Sequence, residues 1–190
     1  MCGRYLFKPE DYPEILKSNA AKADDFQGGV VFPSTKAPII TKKLEVEMHT
    51  WGKRWHFNPR ILLHARAEGV MEKPTFRNAY SINRIIIPTS GFYEWKHVKG
   101  KSQKGEKYFF YSEESSRLYL GGLLLDNEYG YAFVIITRPA EEWMEDIHTR
   151  EPLLIPEEEV SIWLQDYYKA DRFLSRPQMA LAREYQGEDS

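Results

Sequence analysis

The sequence predicts an α+β fold, in which a strongly bent mixed or antiparallel sheet or partial barrel carries a few short helices. Strand-sized apolar runs follow one another between residues 84 and 137. Helix-like spacing is confined to short segments on either side of these runs. A stretch rich in lysine and glycine, residues 96–107, separates two of the runs and is typical of a long hairpin loop.

Length and composition limit the possible classes of protein. With 190 residues the chain can bury a sizeable core, so we expect one domain over residues 1–185 and a frayed tail over 186–190. The single cysteine excludes an internal disulfide framework and favours a cytoplasmic location. No apolar run approaches the length of a membrane span. Because the net charge is −2, nucleic-acid binding would need a local basic patch.

The first half of the chain predicts two helices and two strands. Residues 9–20 have apolar positions at helical spacing and an early proline, which indicates a helix. Residues 37–43 and 46–52 have the composition of strands. Residues 72–83 predict a second helix, because Phe76 and Tyr80 are four positions apart.

The second half is predicted to be mainly strands. Alternation is clearest in GFYEWK, where Phe92 and Glu94 would face one way and Tyr93 and Trp95 the other. A helix is expected over 138–146, a short strand over 151–156 and a helix over 156–165, whose acidic first turn suits the helix dipole. The apolar runs predict strands over 84–88, 91–97, 107–112, 118–126 and 131–137.

Four stretches carry chemistry that is unusual for their positions. Each has an ordinary explanation when taken alone: Arg66 and Glu68 as a surface ion pair, Glu94 as a solvated charge, and His148 as a helix cap. Together, their order and spacing resemble the SOS-response-associated peptidase (SRAP) family from Cys2 to about Gln165. The four stretches are MCGRY (1–5), HARAEGVMEKPTFR (64–77), GFYEW (91–95) and IHTREP (147–152).

This resemblance implies a sensor of abasic sites in single-stranded DNA that couples to them covalently. Removal of Met1 would expose the amine of Cys2, which at a pKa of about 7.7–8.0 loses its proton more readily than lysine. The amine would form an imine with the sugar aldehyde, and the thiol would close a thiazolidine ring. Glu94 is the expected proton shuttle and His148 the second candidate acid or base.

A stretch of the sequence in which basic residues are interleaved with aromatic residues supports binding to single-stranded DNA. Guanidinium groups suit phosphate oxygens, and indole rings can stack on unpaired bases. For both tryptophans the alternative is a place in the core. The expected DNA-binding residues are Arg4, Arg66, Lys73, Arg77, Trp51 and Trp55.

Three positions depart from the family pattern. His64 replaces the usual asparagine, which is thought to help position the sugar or the terminal cysteine, so His64 either keeps that role in altered form or weakens or redirects activity. The stretch 32–38 lacks a second expected asparagine, and Glu151 stands where methionine is common.

The sequence is also compatible with two alternative functions. One is a peptidase or hydrolase whose nucleophile is the thiol of Cys2. The other is a noncovalent module for single-stranded DNA whose catalysis has decayed. We expect a monomer with no cofactor. A metal site is not expected, because five histidines and one cysteine show no spacing for metal ligands.

Overall fold

The computed structural model describes residues 3–18, 27–55, 58–96, 105–127 and 130–188. The helices within these ranges are short: α1 (Pro13–Leu16), α2 (Pro74–Ile82), α3 (Glu142–Glu145), α4 (Val160–Gln165) and α5 (Tyr167–Ala170). Turns of 3-10 helix occupy Pro9–Asp11, Ala67–Gly69, Glu157–Glu159 and Asp171–Leu174. The strands are β1 (Arg4–Phe7), β2 (Gly29–Val31), β3 (Lys36–Ile40), β4 (Val46–Trp51), β5 (Lys53–Trp55), β6 (Asn58–Leu62), β7 (His64–Arg66), β8 (Arg84–Thr89), β9 (Gly91–Trp95), β10 (Glu106–Tyr111), β11 (Leu118–Asn127), β12 (Gly130–Pro139), β13 (Arg150–Pro152) and β14 (Ala182–Glu188).

The larger sheet closes on itself. Its strands pair in the circuit β11, β8, β3, β4, β12 and back to β11, with β7 and β13 also paired to β12. The β4–β12 and β7–β12 pairs are parallel, and the others are antiparallel. Strands β8, β11 and β12 are buried along almost their whole length, which explains their continuous apolar sequences. This barrel confirms the predicted α+β class with a strongly bent sheet.

A second, antiparallel sheet has the order β14, β10, β9, β1, β2. Its inner face packs against the barrel through Tyr5, Phe92 and Phe110, which are inaccessible to solvent. The rings of Phe92 and Phe110 stack with their centres 5.1 Å apart. These residues belong to the same continuous apolar core as the barrel strands.

The two sheets are joined where β8 ends and β9 begins. The hydroxyl of Thr89 donates to the carbonyl oxygen of Leu6 at 2.7 Å, and the backbone N–H of Ser90 donates to the same oxygen. Nearby, the buried hydroxyl of Tyr12 lies 2.8 Å from the carbonyl oxygens of Thr89 and Leu118. The second half of β1 is therefore held in a fixed position relative to the barrel.

Several predicted boundaries need correction. The expected helix over 9–20 is a 3-10 turn followed by α1, since Pro13 begins a new helix, and residues 19–20 lie outside the described ranges. The expected helix over 138–146 is shortened to α3 because β12 continues to Pro139, where it pairs with Arg150. The expected frayed tail is also wrong over residues 186–188, which belong to β14 and gain backbone partners from β10.

No helix in the described part of the chain is long and apolar enough to cross a membrane.

Candidate active site and nucleic-acid interface

A cleft opens beside the start of β1. It has a volume of about 480 Å³ and is lined by Gly3, His64, Arg66 and the segment 61–63. Arg66 is exposed on β7 and forms no ion pair within the described ranges. Cys2, the predicted nucleophile, lies outside the described residues. The structure thus brings two predicted site residues to the point where the described chain begins.

Glu94 lies on the buried face of β9. It shares that face with Phe92, as the alternation of GFYEW predicts, and is only 3% exposed. Its Oε1 accepts a hydrogen bond from the backbone N–H of Trp95 at 3.1 Å. Arg4 pairs with Tyr93 in the antiparallel register of β1 and β9. If the register is continued by one residue, Gly3 lies opposite Glu94. The carboxyl group is therefore carried by the strand next to the chain start.

His148 lies between α3 and β13, and its ring is oriented by the backbone. The N–H of Arg150 donates to Nδ1 of His148 at 3.0 Å, which assigns the proton of the neutral ring to Nε2. Helix α3 is anchored by Trp143, whose ring meets Phe110 edge-on at 5.7 Å between centres. Because Phe110 stacks on Phe92, His148 follows a helix that packs on the face of the sheet carrying Glu94.

Arg150 connects the IHTREP motif with the ARAE motif, which reaches the cleft through Arg66. Its guanidinium forms a two-pronged ion pair with Glu68, with Nη2 donating to Oε2 at 2.9 Å, and donates to the carbonyl oxygen of Thr137 at 2.6 Å. This hydrogen-bonded pair holds the pKa of the Glu68 carboxyl below its usual range. The ordinary explanation of Arg66 and Glu68 as a surface ion pair does not apply, because Glu68 pairs with Arg150 and thereby joins the ARAE and IHTREP motifs.

The outer face of the second sheet combines cations with aromatic rings. The guanidinium carbon of Arg4 lies 5.1 Å from the ring centre of Phe32 and 5.0 Å from that of Trp95. The ammonium of Lys107 lies 4.8 Å from the ring centre of Tyr93. Phe32 is 44% exposed. Sequence reasoning missed Phe32 and Lys107 because only the cross-strand register places them beside Arg4 and Tyr93.

Trp51 requires a correction. Its side chain is fully buried, so it offers no surface for a base to stack on. The ring packs 5.4 Å from Tyr5 and meets His64 edge-on at 6.1 Å, and its Nε1 donates to the carbonyl oxygen of Leu63 at 3.2 Å. Trp51 is thus a core residue that supports His64. Trp55 ends β5, and its side chain lies outside the described residues.

Lys73 and Arg77 are exposed near the start of α2, four positions apart. Neither is among the described residues that line the cleft. Their participation in a phosphate track remains a prediction. Within the described ranges, no group of three or more histidine, cysteine, aspartate or glutamate residues is arranged to hold a metal ion.

Comparison with known proteins identifies related sequences. Residues 1–188 match the family described as SOS response associated peptidase (SRAP). The abasic site processing protein YobE of Bacillus subtilis is 36% identical over 54% of this chain and 48% of its own length. The abasic site processing protein YedK of Escherichia coli is 24% identical over 87% of this chain and 80% of its own length. The chain spans about half the length of the Bacillus relatives it matches.

Solved structures share the fold. A protein from Bacteroides thetaiotaomicron superposes with a TM-score of 0.81 at 22% identity, covering 97% of this chain and 91% of its own. A phage-related protein from Bordetella bronchiseptica gives a TM-score of 0.76 at 24% identity, covering 97% and 94%. At these identities the likeness concerns the fold alone.

Proposed function

The chain belongs to the SRAP family, and from that premise we propose that it captures abasic sites in single-stranded DNA covalently through Cys2. This membership confirms the resemblance inferred from the four motifs. The proposal is supported by relatives that are named abasic site processing proteins, from Escherichia coli and from Rattus norvegicus among others. It also rests on the chemistry of the residues around the cleft.

The proposed reaction proceeds in two bond-forming steps. After removal of Met1, the neutral amine of Cys2 adds to the aldehyde of the ring-opened sugar, and loss of water gives an imine. The thiol then adds to the imine carbon, and its proton passes to the nitrogen. The product is a thiazolidine that joins protein and DNA with the net loss of one water. The second step is intramolecular, which makes it fast and the product durable.

Glu94 and His148 are proposed to move protons during these steps. A buried carboxylate on the strand next to the chain start can accept a proton from the amine and return it to the departing hydroxyl. The neutral ring of His148 carries its proton on Nε2, so it is suited to donate. We propose that it assists opening of the sugar or protonation of the imine.

In this proposal, basic and aromatic side chains hold the DNA strand on either side of the abasic site. Arg66 is exposed in the cleft and forms no ion pair in the described part of the chain, so it is available for a phosphate. On the outer face, Arg4 lies against the exposed ring of Phe32 and Lys107 against the half-buried ring of Tyr93, and both rings are proposed to stack on bases. His64 lines the same cleft and would contact the sugar through a ring nitrogen.

One observation carries the proposal. The cleft beside Gly3 is lined by Arg66 and His64, and the β1–β9 register opposes Gly3 to Glu94. Arg66, the proposed phosphate ligand, and His64 line this cleft, and the buried acid Glu94 is carried by β9, the strand paired with β1.

The first prediction is tested by intact-mass spectrometry of the full chain with a single-stranded oligonucleotide that contains one abasic site. We expect the free protein to lack Met1, and a new species to appear at the sum of protein and oligonucleotide less one water. Cys2→Ala should abolish the adduct. Glu94→Gln and His148→Gln should slow it by about 100-fold, whereas the exposed control Glu72→Gln should not.

Each alternative predicts a different result. Turnover of a peptide or amide by the wild type, without a DNA adduct, would indicate a peptidase. Binding to single strands without an adduct, in protein that lacks Met1, would indicate a noncovalent module. Either result would contradict covalent capture.

A further inference from the structure

A larger cavity opens away from the cleft, at the opposite ends of two barrel strands. Its volume is about 560 Å³, and we call it the distal cavity. Glu47 and Arg84, which line it, lie near the beginnings of β4 and β8. Trp51 and Thr89, which support the first site, lie at the ends of the same strands. The distal cavity and the cleft share no lining residue.

The mouth of the distal cavity is positively charged. Lys42 and Lys43 lie in the turn between β3 and β4, are exposed, and form no ion pair within the described ranges. Glu47, the carboxylate among the described lining residues, is already bonded to Nε2 of His49 at 2.7 Å. The lysines are therefore free to meet a negatively charged ligand.

Arg84 adds a buried cation to the lining. It is only 2% exposed, and its Nε and Nη1 donate to the carbonyl oxygens of Trp163 and Tyr80 at 2.7 and 2.6 Å. Aromatic rings surround the guanidinium, and no carboxylate lies within 4 Å of it in the part of the chain that the structure describes. Burial lowers the pKa of Arg84, and the more distant charges of Asp171 and Asp166 oppose this shift only in part. An anion in the cavity would compensate this charge.

The remaining lining is mainly apolar but includes a buried hydroxyl. Thr41 is 8% exposed, and its Oγ1 makes no hydrogen bond within the described residues. Ile82 lines the cavity and is 52% exposed, and Ile85 and Leu124 also contribute to the lining. A ligand for this cavity would combine an anionic group with an apolar or planar body.

We propose that the distal cavity binds an organic phosphate whose phosphate lies near Lys42, Lys43 and Arg84 and whose body packs on Ile82 and Leu124. Two exposed lysines and one buried arginine in the lining of a single cavity favour a phosphate, which offers three oxygens and up to two charges. A free mononucleotide and the 5′-phosphorylated end of a DNA strand share this chemistry. The proposal goes beyond capture of abasic sites and does not depend on Cys2.

The test is an NMR titration of the isotope-labelled full chain with AMP, adenosine and inorganic phosphate. We expect AMP to shift the amide signals of Lys42, Lys43 and Asn83 in a saturable way, and adenosine to bind at least tenfold more weakly. Lys43→Glu should weaken AMP about tenfold. Ile82→Ser should weaken AMP but not inorganic phosphate. The matched control Lys17→Glu reverses an exposed charge elsewhere and should have no effect.

The proposal would be overturned by adenosine binding as tightly as AMP, by the absence of saturable shifts at these amides, or by equal losses in Lys43→Glu and Lys17→Glu. A 5′-phosphorylated dinucleotide that binds more tightly than AMP at the same amides would identify a strand end as the source, and weaker binding would identify a free nucleotide. Because no adduct is measured, failure here leaves the outcome for Cys2 unaffected.

Discussion

Trp51 shows that residue type alone does not decide between a stacking platform and a core position. It ends β4 beside a run of cations, where an exposed indole would meet DNA. The strand instead directs its ring inward, against Tyr5 and Phe133, with His64 at its edge. The same ring therefore contributes to stability and holds a predicted site residue in place.

Replacement of Trp51 by phenylalanine is expected to lower the free energy of unfolding by about 2 kcal/mol, because it removes a buried hydrogen bond to Leu63 and leaves a void. Urea unfolding measures this loss. The exposed control Tyr168→Phe should be neutral, since Tyr168 is 88% exposed. Unchanged stability together with weaker binding of single strands would instead restore the stacking role.

Glu151 is a buried acid where the family commonly has methionine. It is inaccessible to solvent, lies 3.4 Å from Arg138, and accepts hydrogen bonds from Gln178 and the backbone of Glu141. Burial raises the pKa of its carboxyl, and the nearby charge of Glu141 adds to the increase, although Arg138 opposes it. At a pH between the unfolded and the folded pKa values, the folded state therefore binds a proton that the unfolded state has released.

The raised pKa of Glu151 predicts the direction in which the free energy of unfolding changes with pH. The pKa of an unfolded glutamate is about 4.3, and the pKa of the folded carboxyl is higher. The contribution of Glu151 to the free energy of unfolding is therefore complete below the unfolded pKa and is lost as the pH rises through the folded pKa. Glu151→Gln should therefore gain stability relative to wild type as the pH rises above the unfolded value. Urea unfolding at several pH values measures the difference, and the opposite trend would contradict the assignment.

At the scale of elements, the sequence predicted strands that are long and apolar. The strands β8, β9, β10, β11 and β12 were all anticipated, because continuous burial leaves an apolar run in the sequence. β1 and β14 were missed because pairing with a distant strand, rather than local composition, makes them strands. β14 is also mostly exposed, so its sequence lacks an apolar signal.

The residues of the candidate site also fall into those that the sequence predicted and those that it missed. Arg4, Arg66, Glu94 and His148 came from short motifs that the sequence displays directly. Their partners did not, because the bond from Arg150 to Glu68 joins residues 82 positions apart. Such contacts are created by the register of strands, which no local pattern encodes.

The barrel depends on close approach of three strands at Gly122. A Cβ there would lie 2.4 Å from Cδ1 of Ile87 on β8 and 2.6 Å from the carbonyl oxygen of Val134 on β12. Gly122→Ala is therefore expected to destabilise the protein by about 2 kcal/mol or more in urea unfolding. Gly69→Ala is the control, because its Cβ would meet only the flexible side chain of Lys73. Equal stabilities of the two variants would contradict this packing argument.

For the whole molecule, the candidate site lies at the joint between the two sheets. β1 and β9 of the second sheet carry Arg4 and Glu94, and β7 of the barrel sheet carries His64 and Arg66. Neither sheet would form the site alone. Because the net charge is −2, the proposed attraction to DNA would depend on this local group of cations rather than on the overall charge.

This arrangement predicts how salt affects binding before coupling occurs. In protein carrying Cys2→Ala, which cannot form the thiazolidine, affinity for an abasic single strand should fall as salt rises, because bound phosphates release counterions. Adding Arg66→Gln should weaken binding and reduce the slope of log affinity against log salt by roughly 0.7, the value for one single-strand phosphate. Fluorescence anisotropy at several salt concentrations measures both, with Lys17→Gln as the exposed control. Parallel salt lines for the Arg66 variant and its parent would show that Arg66 does not hold a phosphate, and the cleft beside Gly3 would then lose its role in binding the DNA backbone.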